Sequence, residues 1–147
     1  MIRIDFYHLQ KQTLEEVLPK LLSKAYVTGT RIKIKTLEDR VEYINSFLWS
    51  FNDESFLPHG SKKDGFAEEQ PIWISSDSNN SNHAEFLFLI DGAEDNVSQY
   101  NRVFNIFNGN SEEALIQARR LWKEYKNAGY EVYYWQQSPS GNWEQKS

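Results

Sequence analysis

Glu85-Phe-Leu-Phe-Leu-Ile-Asp91 is apolar from Phe86 to Ile90 without a polar interruption. A strand with one wet face alternates; an unbroken apolar run suits a central strand covered on both faces. Short β-rich segments lie on either side of it. Upstream are Arg31-Ile-Lys-Ile-Lys35 and Pro71-Ile-Trp-Ile-Ser75, and downstream is Arg102 to Phe107. The chain opens on Arg3-Ile-Asp-Phe-Tyr-His-Leu9, a first strand by its alternation and β-formers, and Tyr130 to Gln137 reads as the last.

Helical stripes separate these strands. Thr13-Leu-Glu-Glu16 has capping-box spacing, and Leu14, Val17, Leu18, Leu21, Leu22 and Ala25 recur at three and four. Pro19 either kinks this helix or marks its start, and Gly29 is its stop. Thr36 is expected to cap a second helix with Leu37, Val41, Ile44, Leu48 and Phe51 on one face. Asn108-Gly-Asn-Ser111 turns into a third, favoured at its start by Glu112 and Glu113 and ended near Ala128 by Gly129. Residues 52–70 read as a long loop, Ser76 to Asn82 as a loop or poorly ordered tip, and residues after about 138 as a polar, flexible tail. Strands alternating with helices imply an α/β fold with a mostly parallel sheet and helices on both faces. No repeat or linker divides the chain, so residues 1–147 read as one domain.

The chain has 147 residues, no cysteine and a formal net charge of −5. The missing thiols remove thiolate metal sites and cysteine nucleophiles from consideration. The start lacks a secretory signal's charged head and apolar run, and no stretch reaches a bilayer-spanning length of about 20 residues, so a soluble cytoplasmic protein is expected. An acidic chain is poorly suited to gripping phosphates over its whole surface.

Signatures of catalysis are scarce. Gly60-Ser-Lys-Lys-Asp-Gly65 has glycines and lysines but no flanking strand and helix to aim a phosphate cradle. No G-x-G-x-x-G follows the first strand, and G-x-S-x-G is absent. His8, His59 and His83 show no ligand spacing, and no metal or cofactor is implied. Asp91, Glu94 and Asp95 follow a buried strand where α/β folds bind ligands; they hold a cation, form an acid/base pair for an enzyme, or make a solvated turn. A direct single-strand binder using exposed Trp and Tyr as stacking platforms is a further alternative, disfavoured by the charge.

One constellation stands out. Arg119, Trp122, Lys123 and Lys126 fall at i, i+3, i+4 and i+7 and share a stripe of the third helix. From Leu115 to Lys126 there are four basic side chains and one acidic one. Such a stripe suits an anionic peptide with an aromatic anchor: arginine forks onto a carboxylate, lysine adds mobile charge, and the indole supplies an apolar wall. The alternative is a solvated helix face with Trp122 turned inward beside Leu115, Ala118 and Tyr125.

Arg119-Arg-Leu-Trp-Lys-Glu-Tyr-Lys-Asn-Ala-Gly-Tyr130 resembles the signature of the chi-subunit family of bacterial DNA polymerase III. Leu48-Trp49 followed by Ser55-Phe-Leu-Pro-His59, the opening Asp5-Phe-Tyr-His-Leu9, and Tyr134-Trp-Gln-Gln137 with Asn142-Trp-Glu144 are similar to further family segments, in order. The resemblance implies a Rossmann-like three-layer α/β/α domain without a nucleotide site. It implies a non-catalytic accessory subunit, associated with the clamp loader, that binds the acidic C-terminal tail of single-stranded-DNA-binding protein. Tail-binding roles then fall on Arg119, Trp122 and Lys123. Leu115 stands where some members carry a further basic residue, and Lys126 is placed to make up that charge. A second family face contacts the psi subunit, and Trp49 and Phe56 match its segment, although both also suit a core.

Overall fold

The computed structural model describes residues 2–50 and 57–147. Its elements, in chain order, are β1 (Arg3–Leu9), α1 (Leu14–Tyr26), β2 (Ile32–Lys35), α2 (Val41–Ser50), β3 (His59–Ser61), β4 (Ile72–Ser75), β5 (Phe86–Leu89), β6 (Arg102–Asn108), α3 (Glu112–Asn127), β7 (Glu131–Gln137) and β8 (Trp143–Gln145). The strands form one eight-stranded sheet in the order β3-β4-β2-β5-β6-β1-β7-β8, parallel except for the β7–β8 pair. Phe86 to Leu89 pairs with β2 on one side and β6 on the other, so the apolar run is a central strand as its composition requires.

Alternation along the strands divides the core in two. Tyr7, Leu9, Ile32, Ile34, Phe104 and Ile106 pack with residues of α1 and α2. Ile4, Phe6, Leu87, Leu89, Val103 and Phe107 pack with Ala118, Leu121 and Tyr125 of α3. β1 therefore feeds both clusters, and it also carries a buried carboxylate. Asp5 is fully buried, and it accepts from Arg3 Nε (3.0 Å), Arg102 Nε (3.1 Å) and Trp135 Nε1 (2.9 Å). One anion thus ties β1 to both of its neighbours.

The helix starts follow the sequence in two cases of three. Thr13 and Glu16 close the expected capping box, and Ser111 caps α3. α1 begins five residues before Pro19 and runs through it. Thr36 is not a cap: its hydroxyl donates to Asp91 at 2.7 Å, and a short 3-10 turn, Glu38–Arg40, intervenes before α2. Phe51 lies outside the described residues.

Two expectations of looseness are corrected, and the Ser/Asn-rich segment is the loop of its two readings. His59–Ser61, inside the expected long loop, is a buried edge strand. The tail turns back as β8, and Trp143 meets the Tyr7 ring edge-on at 5.2 Å. The Ser/Asn-rich loop is tied down. Lys33, fully buried on the side of β2 opposite Ile32 and Ile34, donates to the carbonyls of Asp77 and Asn79, both at 2.6 Å. Asn82 donates to Ile32 and Gln70, both at 3.0 Å. Burial pulls the Lys33 ammonium below its ordinary pKa, partly offset by Asp95 and Asp77.

Candidate functional site

α3 presents its three sides differently. Ala118, Leu121 and Tyr125, at spacings of three and four, are buried. Arg120 is neutralised by Glu94 at 2.5 Å and Glu124 at 3.1 Å. Arg119 and Lys123 are exposed and, among the described residues, form no ion pair or side-chain hydrogen bond. Lys126 is also exposed, with its ammonium 5.2 Å from the centre of the Trp122 ring.

Trp122 lies between the two arrangements left open by the sequence. It is half-buried, resting on Phe6 (5.9 Å between ring centres) and edge-on to Tyr134 (6.0 Å). One part of the indole therefore belongs to the core while another stays at the surface, beside unpaired cations. Phe6, Phe107, Tyr125 and Tyr134 form a bed of rings under this part of α3. Such a bed holds the indole at a fixed height, because aromatic packing resists rotation of the ring.

His8 completes the bed. Its Nδ1 lies 2.6 Å from the Tyr134 hydroxyl, while Nε2 is buried without a partner. Gly109 makes room for it: a Cβ there would fall 1.9 Å from His8 Cδ2. Burial, then the Arg119 charge, lowers the His8 pKa. Burial raises the Tyr134 pKa, and Arg119 opposes that shift. The guanidinium is thus felt by both members of the pair. Sequence reasoning missed Phe6, His8 and Tyr134 as neighbours of the stripe, because strand pairing, invisible in one sequence, brings β1 and β7 together under α3.

Trp49 stands apart from this site, on α2. It is 51% exposed, so it is not core, and its ring lies against buried His59, 4.2 Å between centres and tilted by 32°. Phe56 lies outside the described residues. The acidic turn is dispersed among different cations. Asp91 pairs with Arg40 at 3.2 Å, Glu94 with Arg120, and Asp95 with Lys33 at 3.7 Å and Lys35 at 3.8 Å. Among the described residues no group of three or more His, Asp or Glu is placed to hold a metal ion, and no helix is long and apolar enough to cross a membrane.

Comparison with known proteins agrees with the order of these features. The family described as DNA polymerase III chi subunit, HolC, matches residues 1–133. A protein of Rickettsia prowazekii (strain Madrid E) named "Probable DNA polymerase III subunit chi" is 29% identical over 109 residues, covering 71% of this chain and 66% of that relative's length. The family match runs from β1 through the whole of α3 and into β7, taking in the basic stripe and, of the aromatic bed, Phe6, Phe107 and Tyr125, and the chain belongs to the DNA polymerase III chi subunit family.

Proposed function

We propose that this chain is a non-catalytic accessory subunit of bacterial DNA polymerase III that captures the acidic C-terminal tail of single-stranded-DNA-binding protein during replication. The observation that carries the reading is the pair of unpaired cations, Arg119 and Lys123, beside a half-exposed indole in an otherwise acidic protein. Arg119 forks onto the tail's terminal carboxylate, Trp122 walls the pocket for its aromatic side chain, and Lys123 and Lys126 face its acidic residues. The arrangement is a recruiting surface, and the chain 1–147 acts as one Rossmann-like three-layer domain in the cytoplasm without a cofactor. DNA is reached only through the captured partner.

The face around Trp49, with Phe56, is the contact for a psi subunit and through it the clamp loader. The support is an indole held at the surface by a buried histidine, the kind of rigid aromatic anchor on which interfaces depend.

Titration with a synthetic acidic tail peptide tests the main reading. A free C-terminus should give saturable binding, and amidation of the same peptide should weaken it by roughly ten- to a hundredfold, the worth of a charge-assisted bidentate contact. Equal affinity for the two peptides would remove the carboxylate from the site and the reading with it.

A further inference from the structure

A cavity of about 860 Å³ opens at the carboxyl ends of β5, β6 and β1, between the first turns of α1 and α3. β1 leads through α1 to β2 on one side of it, and β6 leads through α3 to β7 on the other, so the cavity lies where the direction of the chain reverses. This is the place where open α/β sheets receive small ligands, and the volume is within the range of such sites, about 300–1,000 Å³.

Its chemistry is unlike a phosphate site. Both first turns are acidic, with Glu15 and Glu16 in α1 and Glu112 and Glu113 in α3. Three carboxylates, Glu15, Asp91 and Glu113, line the cavity against two cations, Lys11 and Arg40. Arg40 is already paired with Asp91 at 3.2 Å. The positive ends of the two helices are thus offset by their own side chains, and an anion gains little here.

Asn105 points to what fits instead. It is 7% exposed, lines the cavity, and its side chain makes no hydrogen bond to any described residue. Its amide atoms are not among those sealed without a partner, so their remaining exposure is toward the cavity. A buried carboxamide almost always finds a partner, and this one presents a donor and an acceptor side by side. Phe107 and Leu121, both buried on the same side of the sheet as Asn105, give apolar walls to the cavity. A flat heterocycle with an adjacent donor and acceptor on one edge satisfies both features, as adenine does when its N6 and N7 meet an asparagine.

We propose that this cavity binds an uncharged purine nucleoside, with Asn105 reading the base edge and the acidic helix starts excluding phosphorylated forms. The site is separate from the stripe of Arg119, Trp122 and Lys123, none of which lines it.

The test is titration of the isotope-labelled full chain with adenosine, followed by NMR. A saturable shift of the Asn105 side-chain amide and of Gly92, which lines the cavity, is expected, with ATP binding several-fold more weakly than adenosine. Asn105→Leu should weaken adenosine about tenfold, the loss of one or two ordinary hydrogen bonds. Ala114→Leu, which fills the cavity without touching Asn105's chemistry, should weaken it similarly, and it decides the matter alone if Asn105→Leu fails to melt cooperatively. No saturable shift at millimolar adenosine overturns the proposal. So does tighter binding of ATP, or unchanged binding in a folded variant.

Discussion

At Arg119 the site is reduced to one guanidinium with no internal carboxylate to satisfy it. Arg119→Ala should weaken tail-peptide binding roughly ten- to a hundredfold by calorimetry, and Arg119→Lys should recover little, because an ammonium lacks the planar fork. Combined with an amidated peptide, Arg119→Ala should be less than additive; full additivity would mean that the two groups do not meet. His8, beneath it, makes a pH prediction. Its folded pKa is depressed, so on acidification the unfolded chain takes up this proton first, near its ordinary pKa of about 6.5. Stability is then lost as pH falls below that value toward the folded pKa. Urea midpoints measured down from neutral pH should fall less steeply in His8→Gln than in the parent. An unchanged slope would show that His8 does not contribute to the acid response.

At the scale of elements, β1 and β8 make opposite kinds of contribution. Asp5 holds β1 to β6 through the Arg102 guanidinium and to β7 through the Trp135 indole N–H, and it also pairs with Arg3 of its own strand. Asp5→Ala leaves these donors facing each other without an anion and should cost about 3 kcal/mol, toward the low end for a broken buried pair, since both arginines keep some contact with water. β8 adds only three residues, but Trp143→Ala removes the ring that closes over Tyr7 and should cost about 2 kcal/mol, below a fully buried aromatic because Trp143 is half-buried. Denaturant melts decide both; a neutral Trp143→Ala would make β8 dispensable. The elements legible in sequence were those with a periodic pattern or a run of β-formers: β1, α1, β2, α2, β4, β5, β6, α3 and β7. β3 escaped because His-Gly-Ser has no β-former and is only three residues long. β8 escaped for its length and polar flanks. Thr36 carried a valid capping residue type, but Asp91, 55 positions away, competed for its hydroxyl. The Ser/Asn-rich loop has the composition of a loose tip; its order comes from Lys33, which no local pattern reveals. For the site, helical spacing was enough to put Arg119, Trp122 and Lys123 on one stripe, whereas the rings beneath them depend on pairing across more than 100 residues.

For the whole molecule, the balance of charge sets how it meets nucleic acid. With a net charge of −5 there is no general field to attract phosphates, and α3 sets two unpaired cations, Arg119 and Lys123, beside a half-exposed indole. Binding to bare single strands should therefore be weak and strongly salt-dependent. Addition of single-stranded-DNA-binding protein should bring this chain into a gel-shifted complex at the same salt. Tight binding to a naked oligonucleotide at physiological salt would contradict the recruiting role.

The strand order also has a consequence for how the chain is made. β1 leaves the ribosome first, yet its two neighbours are β6 and β7, with Arg3 opposite Arg102 and Glu131. During synthesis at about 5–20 residues per second, β1 waits on the order of 5–20 s for β6. Until then Ile4 and Phe6, and the carboxylate of Asp5 between them, lack the strands that enclose them. β2, β4 and β5 are all translated in that interval, and β4 and β5 pair with β2 on its two sides, so the half of the sheet on that side can assemble while the first strand is still unmatched. Closure of the other half is a late, long-range event, of the kind that slows folding and leaves a strand open to capture by a neighbouring nascent chain.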